Sequence, residues 1–127
     1  MVAAILLVED HPTMRGAMRM ILEAEGHRIA EAADGRAALE QLRANRFDVI
    51  LLDLNIPGLS GIDLLQAIRS EPAGAGVRVV VVTATGEEGR AAAMAAGADD
   101  YFTKPFSPAA LLATVERASG ASGSPEA

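Results

Sequence analysis

Among the eleven basic residues of this chain there is a single lysine, Lys104, in the run Tyr101-Phe102-Thr103-Lys104-Pro105-Phe106. All the other basic positions are arginine, so a compact ammonium here points to a task that a broad planar guanidinium would do badly, such as meeting one oxyanion in a tight space. Matching acids are present. Glu9 and Asp10 follow the apolar run Ile5-Leu6-Leu7-Val8, and Asp53 closes the run Val49-Ile50-Leu51-Leu52. Taken alone, Lys104 reads equally well as one surface cation in an arginine-biased chain, and the acid pair as helix capping. Asp53 changes the balance, because an acid that ends a buried aliphatic strand has no cap to make there.

Three carboxylates brought to one place repel: two like charges about 4 Å apart cost about 4 kcal/mol at an effective dielectric near 20. Such a group holds protons or a cation. With no cysteine in the chain and only oxygen donors, the implied cation is hard and octahedral, Mg²⁺ before Mn²⁺. A carboxylate beside a metal and a lysine can attack phosphorus and form an aspartyl phosphate, in chemistry that depends on positioning and charge neutralisation. Mg²⁺ would take one phosphoryl oxygen, Lys104 a second and the Thr83 hydroxyl a third.

The elements that must gather these groups can be read from periodicity. Apolar runs bounded by turn residues predict strands over 4–8, 28–32, 47–53, 77–83 and 100–102. The first, third and fourth are continuous apolar runs, which places them in the middle of a sheet covered on both faces. The second alternates and the fifth is short, so both belong at edges. Helices are predicted from Pro12 to Gly26 with Met14, Ala17, Met18, Ile21 and Leu22 as its stripe, over 34–45, over 62–69, over 87–96, and after a Ser107 cap with Leu111, Leu112 and Val115 facing inward. Strand-helix alternation of this kind gives an α/β fold, a three-layer doubly wound (βα)5 sheet of five parallel strands. Ligands of such sheets sit beyond the carboxyl ends of the strands. Glu9, Asp10, Asp53, Thr83 and Lys104 all fall on that rim.

Composition narrows the class further. A chain of 127 residues that is 50% hydrophobic buries a core as one domain, with a core that must be aliphatic since aromatics are 3%. The apolar runs are too short to span a membrane and no signal sequence is read, so a soluble, cytoplasmic protein with no membrane partner is expected. A net charge of −6 opposes the nucleic-acid backbone, so no direct binding of nucleic acid is expected of this domain. Residues 119–127 have the Gly/Ser composition of a flexible tail or the start of a linker, leaving 1–118 as the domain.

Taken together, the residues match a family. Glu9-Asp10 after the first strand, Asp53 with Pro57 and Gly61 downstream, Thr83-Ala84, Gly97-Ala98-Asp99-Asp100-Tyr101 and Lys104-Pro105-Phe106 resemble the receiver domain of two-component response regulators over about residues 3–118. The resemblance implies a flavodoxin-like receiver fold with sheet order 2-1-3-4-5. It implies Asp53 as phosphoacceptor, with Glu9, Asp10, Asp53 and the backbone carbonyl of Asn55 as Mg²⁺ ligands and Lys104 as the phosphate partner. It makes Thr83 and Tyr101 a conformational switch pair and the Lys104–Pro105 bond cis. It implies a signalling switch and not a conventional enzyme, one that supports its own Mg²⁺-dependent phosphotransfer and autodephosphorylation. A histidine kinase or phosphotransfer protein would supply the phosphoryl group, and a downstream partner or fused output domain would read the face made by helix four, strand five and helix five. Two residues depart from the pattern: Ile56 where methionine is common, and Ser60 where an acid is common.

Other readings stay open. A metal-dependent phosphohydrolase with an aspartyl-phosphate intermediate would use the same acids, although relatives resembling the haloacid dehalogenases carry a second acid where this chain has Asn55. A flavin carrier on the same architecture would need phosphate loops and aromatics in place of two acids and four aromatic residues. His11 is expected to cap the first helix, His27 to be a surface turn residue and Met20 to lie at the edge of the buried stripe. The glycines and acids over 86–89 lack the lysine of a P-loop and read as a mobile loop.

Overall fold

A computed structural model describes residues 2–84 and 86–119, so the tail expected over 119–127 lies outside the described residues except for Ser119. Five strands, β1 (Ala4–Val8), β2 (Arg28–Ala32), β3 (Val49–Leu52), β4 (Arg78–Thr83) and β5 (Asp100–Thr103), alternate with α1 (Pro12–Ala24), α2 (Gly35–Ala44), α3 (Gly61–Ser70), α4 (Arg90–Ala95) and α5 (Pro108–Ala118). All pairings are parallel and the order is β2-β1-β3-β4-β5, so the continuous apolar strands are central and the two weaker ones are the edges.

The pleat divides the core. Ile5, Leu7, Val49, Leu51, Val80 and Val82 pack under Met18 and Leu22 of α1 and Leu111 and Val115 of α5. Their neighbours Leu6, Val8, Ile50, Leu52, Val79 and Val81 face Ala38 and Leu42 of α2, Leu64, Leu65 and Ile68 of α3, and Ala93 of α4. Each fully buried Leu, Ile or Val contributes about 1.5–3 kcal/mol. That is why runs of four or five such residues win over any helical alternative. Helix starts follow local chemistry: His11, Asp34, Ser60 and Ser107 accept the backbone N–H groups of Met14, Ala37, Asp63 and Ala110.

Four expectations need correction. His27 is not a surface turn residue; it is buried, and its Nδ1 accepts the Ala3 N–H at 3.0 Å. The β1–β2 pairing begins at Ala4 and Arg28, so the Ala3 N–H falls just short of the ladder and needs this acceptor. Ala17 is exposed, being about 100° off the line of Met14, Met18 and Leu22, and Met20 is fully on the outer face rather than at the stripe's edge. The fourth helix is not continuous over 87–96: Glu87–Gly89 forms a 3-10 turn, uncapped by any side chain, ahead of a short α4. Gly86, at φ +89°, precedes that turn and Gly89 ends it, and both weaken the regular helix there.

The end of the sheet opposite the acids is closed by a residue that sequence pattern does not reveal. Arg69, near the end of α3, donates to the carbonyls of Gly74, Val77 and Gly97 and to Asp99 Oδ2. One guanidinium thus ties α3 to the entries of β4 and β5. Arg69→Ala would leave these acceptors unpaired, and is expected to lower stability by about 2–4 kcal/mol, read as a lower urea midpoint at unchanged slope. An unchanged midpoint would show that water replaces the guanidinium without loss.

Candidate functional site

Strand ends and the pleat assemble the rim. The Glu9 N–H donates to Ala32 O, the Asp53 N–H to Val8 O and the Lys104 N–H to Thr83 O, so the ladder runs one residue past β1, β3 and β5. Glu9, Asp53 and Lys104 are therefore in phase with Leu7, Leu51 and Phe102, whose side chains belong to the α1/α5 face. Thr83 and Tyr101 keep the opposite phase, with Val81 on the α2/α3 face.

Lys104 reaches back between the acids. Its Nζ donates to Glu9 Oε1 at 2.7 Å and to Asp53 Oδ2 at 2.9 Å. All three are largely shielded: Glu9 is 2% exposed and Asp53 6%, and the lysine side chain 13%. Burial alone would pull the Lys104 ammonium down, but hydrogen bonds to Glu9 and Asp53 and their negative charge outweigh it, leaving its pKa above the ordinary lysine value. Glu9 is pushed up, first by burial, with the charge of Asp53 adding and the bond from Lys104 opposing.

Asp10 is exposed beside them, and one carboxylate oxygen from each of Glu9, Asp10 and Asp53 lies within 4.8 Å of the other two. Octahedral Mg²⁺ holds its ligands at about 2.0–2.1 Å, hence at most about 4.2 Å apart. Only one pair of the three oxygens can lie opposite each other across the ion and the other pairs must close to about 3 Å, so the carboxylates would draw together to hold it. The donor set, all carboxylate oxygen, is the kind that hard ions select.

Asn55 joins the two phases of the rim. Its N–H donates to Asp53 Oδ1 at 2.9 Å and its Nδ2 to Thr83 Oγ1 at 3.3 Å, and Thr83 is fully buried. Tyr101 does not meet Thr83 through its hydroxyl. Its ring is buried and the hydroxyl donates to Gly86 O at 2.5 Å. The ring is therefore already inside in this structure. Burial, then the charges of Glu87 and Glu88, raise the pKa of its phenol.

Two arginines escaped sequence reasoning. Arg15 donates to the carbonyl of Glu9 at 2.8 Å and pairs with Glu31 on β2, fixing the turn after β1. Arg90 lies over the Tyr101 ring at 5.1 Å and pairs with Glu87. Both depend on tertiary contacts, and an exposed-looking arginine in a helix carries no signal for them. The two departures from the family pattern have local roles: Ile56 is buried in the core, and Ser60 caps α3. Gly61 is demanded by close approach, since a Cβ there would sit 2.3 Å from Leu54 Cα in the loop after Asp53. The Lys104–Pro105 peptide is cis.

A doubly wound parallel sheet with three acids and a lysine at the carboxyl ends of its strands defines a phosphoacceptor class of domain. Residues 5–116 match the family described as the response regulator receiver domain, and the chain belongs to that family. It is 41% identical over 117 residues to the phosphate regulon transcriptional regulatory protein PhoB of Escherichia coli, covering 91% of this chain and 51% of that one. It is 42% identical over 104 residues to the probable transcriptional regulatory protein TcrX of Mycobacterium tuberculosis, covering 81% of this chain and 44% of that one. The chain thus spans about half the length of the curated relatives it matches. Among solved structures, the receiver domain of sensor histidine kinase PA1611 from Pseudomonas aeruginosa, which holds a magnesium ion in its active site cleft, aligns with a TM-score of 0.87 at 33% identity over 94% of this chain and 99% of that one. The chain is a phosphoacceptor signalling switch of the two-component type, in a family whose members are typically non-enzymatic. No helix among the described residues is long and apolar enough to cross a membrane.

Removing one acid should separate metal affinity from stability. Asp10→Asn is expected to weaken Mg²⁺ binding on the order of tenfold, by calorimetric titration, while raising the metal-free melting temperature by relieving repulsion. A fall in metal-free stability would mean that Asp10 acts chiefly through the start of α1.

Proposed function

We propose that Asp53 is the phosphoacceptor, that Glu9, Asp10, Asp53 and the backbone carbonyl of Asn55 hold Mg²⁺, and that Lys104 and the Thr83 hydroxyl take two of the phosphoryl oxygens. The observation that carries this reading is the Lys104 ammonium held between Glu9 and Asp53, with Asp53 at the end of β3. An Asp53 oxygen attacks the phosphorus, the bond from phosphorus to the donor breaks, and its electron pair leaves with the donor. The bound ion supplies charge neutralisation for the transferring oxygens. Lys104 releases its bond to Asp53 and turns the same ammonium to the new phosphoryl oxygen, keeping Glu9 as its second partner. Water attack on phosphorus later restores the carboxylate, which is the domain's own autodephosphorylation.

The phosphoryl group would come from a histidine kinase or phosphotransfer protein in the cytoplasm. The output would pass to a downstream protein partner or a fused output domain through the face of α4, β5 and α5. Several observations support that face. Ala93 is the only buried residue of α4, a 3-10 turn precedes the helix, and Tyr101 bonds the Gly86 carbonyl beside that turn. An element with so few anchors shifts at low cost. Phosphorylation would favour the inward Tyr101 arrangement seen here, as a population shift. The acidic domain itself would bind no nucleic acid. For the phosphohydrolase alternative, the exposed amide of Asn55 stands where a second catalytic acid would be needed.

Incubation with acetyl phosphate and Mg²⁺ should add the mass of one phosphoryl group to the wild-type protein and none to Asp53→Asn, whose amide is a poor nucleophile. The adduct should be released by hydroxylamine, as an acyl phosphate is. A hydroxylamine-resistant adduct, or one retained by Asp53→Asn, would contradict the assignment.

A further inference from the structure

Glu9 is held to the edge strand β2 through both sides of its backbone. Its N–H donates to Ala32 O at 3.0 Å. Its carbonyl accepts Arg15 Nη1 at 2.8 Å, while Arg15 Nε donates to Glu31 Oε1 at 2.7 Å. The other oxygen of Glu31 takes Arg19, one turn further along α1, so the carboxylate that anchors Arg15 is itself fixed. A peptide group is planar, and the plane that carries the Glu9 carbonyl oxygen also carries the N and Cα of Asp10. Pinning that oxygen therefore sets where the Asp10 side chain starts. Among the described residues, no hydrogen bond or ion pair holds the exposed Asp10 carboxylate, so its backbone places it beside Glu9 and Asp53.

We infer that Arg15, anchored by Glu31, is a positioning residue for the metal site, orienting the Glu9–Asp10 peptide so that the Asp10 carboxylate closes on the same ion as Glu9 and Asp53. This rests on the proposed Mg²⁺ ligands. Charge and positioning act on the ion in opposite directions. As a positive charge beside the acids Arg15 repels Mg²⁺, so its removal would tighten binding. As a brace it keeps the acids in place, so its removal weakens binding. Shape separates the two further: Nε and Nη1 of one rigid plane meet two separate acceptors, whereas a lysine would have to meet both at one nitrogen.

The experiment is calorimetric titration with magnesium chloride, with the urea midpoint of each metal-free protein measured alongside. It compares wild type, Arg15→Gln, Arg15→Lys, Glu31→Ala, Arg19→Gln and the Arg15→Gln/Glu31→Ala double variant. Arg15→Gln and Arg15→Lys are each expected to weaken Mg²⁺ binding on the order of tenfold, and Glu31→Ala about threefold. Arg19→Gln removes the same charge without touching Glu9, and is expected to stay within about twofold of wild type. The double variant is expected to bind no more weakly than Arg15→Gln, because the two residues act as one unit. Binding in Arg15→Gln as tight as in wild type or tighter, or wild-type affinity in Arg15→Lys, would overturn the inference, whatever happens to the urea midpoint. Glu31→Ala leaves Arg15 and every proposed ligand in place, so wild-type affinity there would overturn it even if an Arg15 variant did not fold. A wild type that binds no Mg²⁺ would overturn the proposed metal site as well.

Discussion

One ammonium group bridges two buried carboxylates that belong to distant parts of the chain, and the upper end of the sheet is organised around it. Lys104 is 95 residues from Glu9 and 51 from Asp53. Leaving a buried charge without its partner costs about 3–5 kcal/mol, so β1, β3 and β5 must end at the same level for the bridge to form. The parallel register delivers this, since the backbone ladder runs one residue beyond each strand. The same bridge sets one positive charge between two acids at close range in a protein whose net charge is already −6. It is a compact cation on a flexible stem, able to exchange one oxygen partner for another without rebuilding the site.

The apolar runs made the central strands legible, because a strand covered on both faces has no alternation to hide it. They fixed the sheet's edges and middle, and with them the rim on which Glu9, Asp10, Asp53, Thr83 and Lys104 fall. Helix caps at His11 and Ser107 are local, set by a residue and the N–H three positions later, and sequence carries such signals well. What stayed hidden was settled by tertiary contact. His27 looks like a turn residue until the unpaired Ala3 N–H is known, and Arg69 looks like any helix-surface cation until three carbonyls converge on it. Ala17 and Met20 show that a small or flexible apolar residue tells little about which side of a helix stripe it takes. The break before α4 reflects two weak helix formers, Gly86 and Gly89, whose cost is small enough for context to decide.

The two phases of the pleat divide the polar groups of the rim into two sets. Glu9, Asp53 and Lys104 share the phase of the α1/α5 core, while Thr83 and Tyr101 share the phase of the α2/α3 core. On the proposed reading, a signal made on the first set would have to cross to the second to reach α4. Asn55, bonded to Asp53 through its backbone and to Thr83 through its side chain, is where the structure joins them. Arg90, stacked on Tyr101 and paired with Glu87, then links the ring to the 3-10 turn before α4.

The compactness of the bridging cation can be tested by keeping its charge and changing its shape. In Lys104→Arg the guanidinium retains the positive charge but cannot occupy the same small space between two carboxylates and a phosphoryl group. Tyr101 emission should be followed in wild type and Lys104→Arg at equal phosphorylated fraction, with the basal fold checked by urea unfolding. The account predicts a folded variant whose phosphorylation no longer changes Tyr101 to the wild-type extent. A wild-type response in Lys104→Arg would show that charge alone suffices, and that the lone lysine carries no special role.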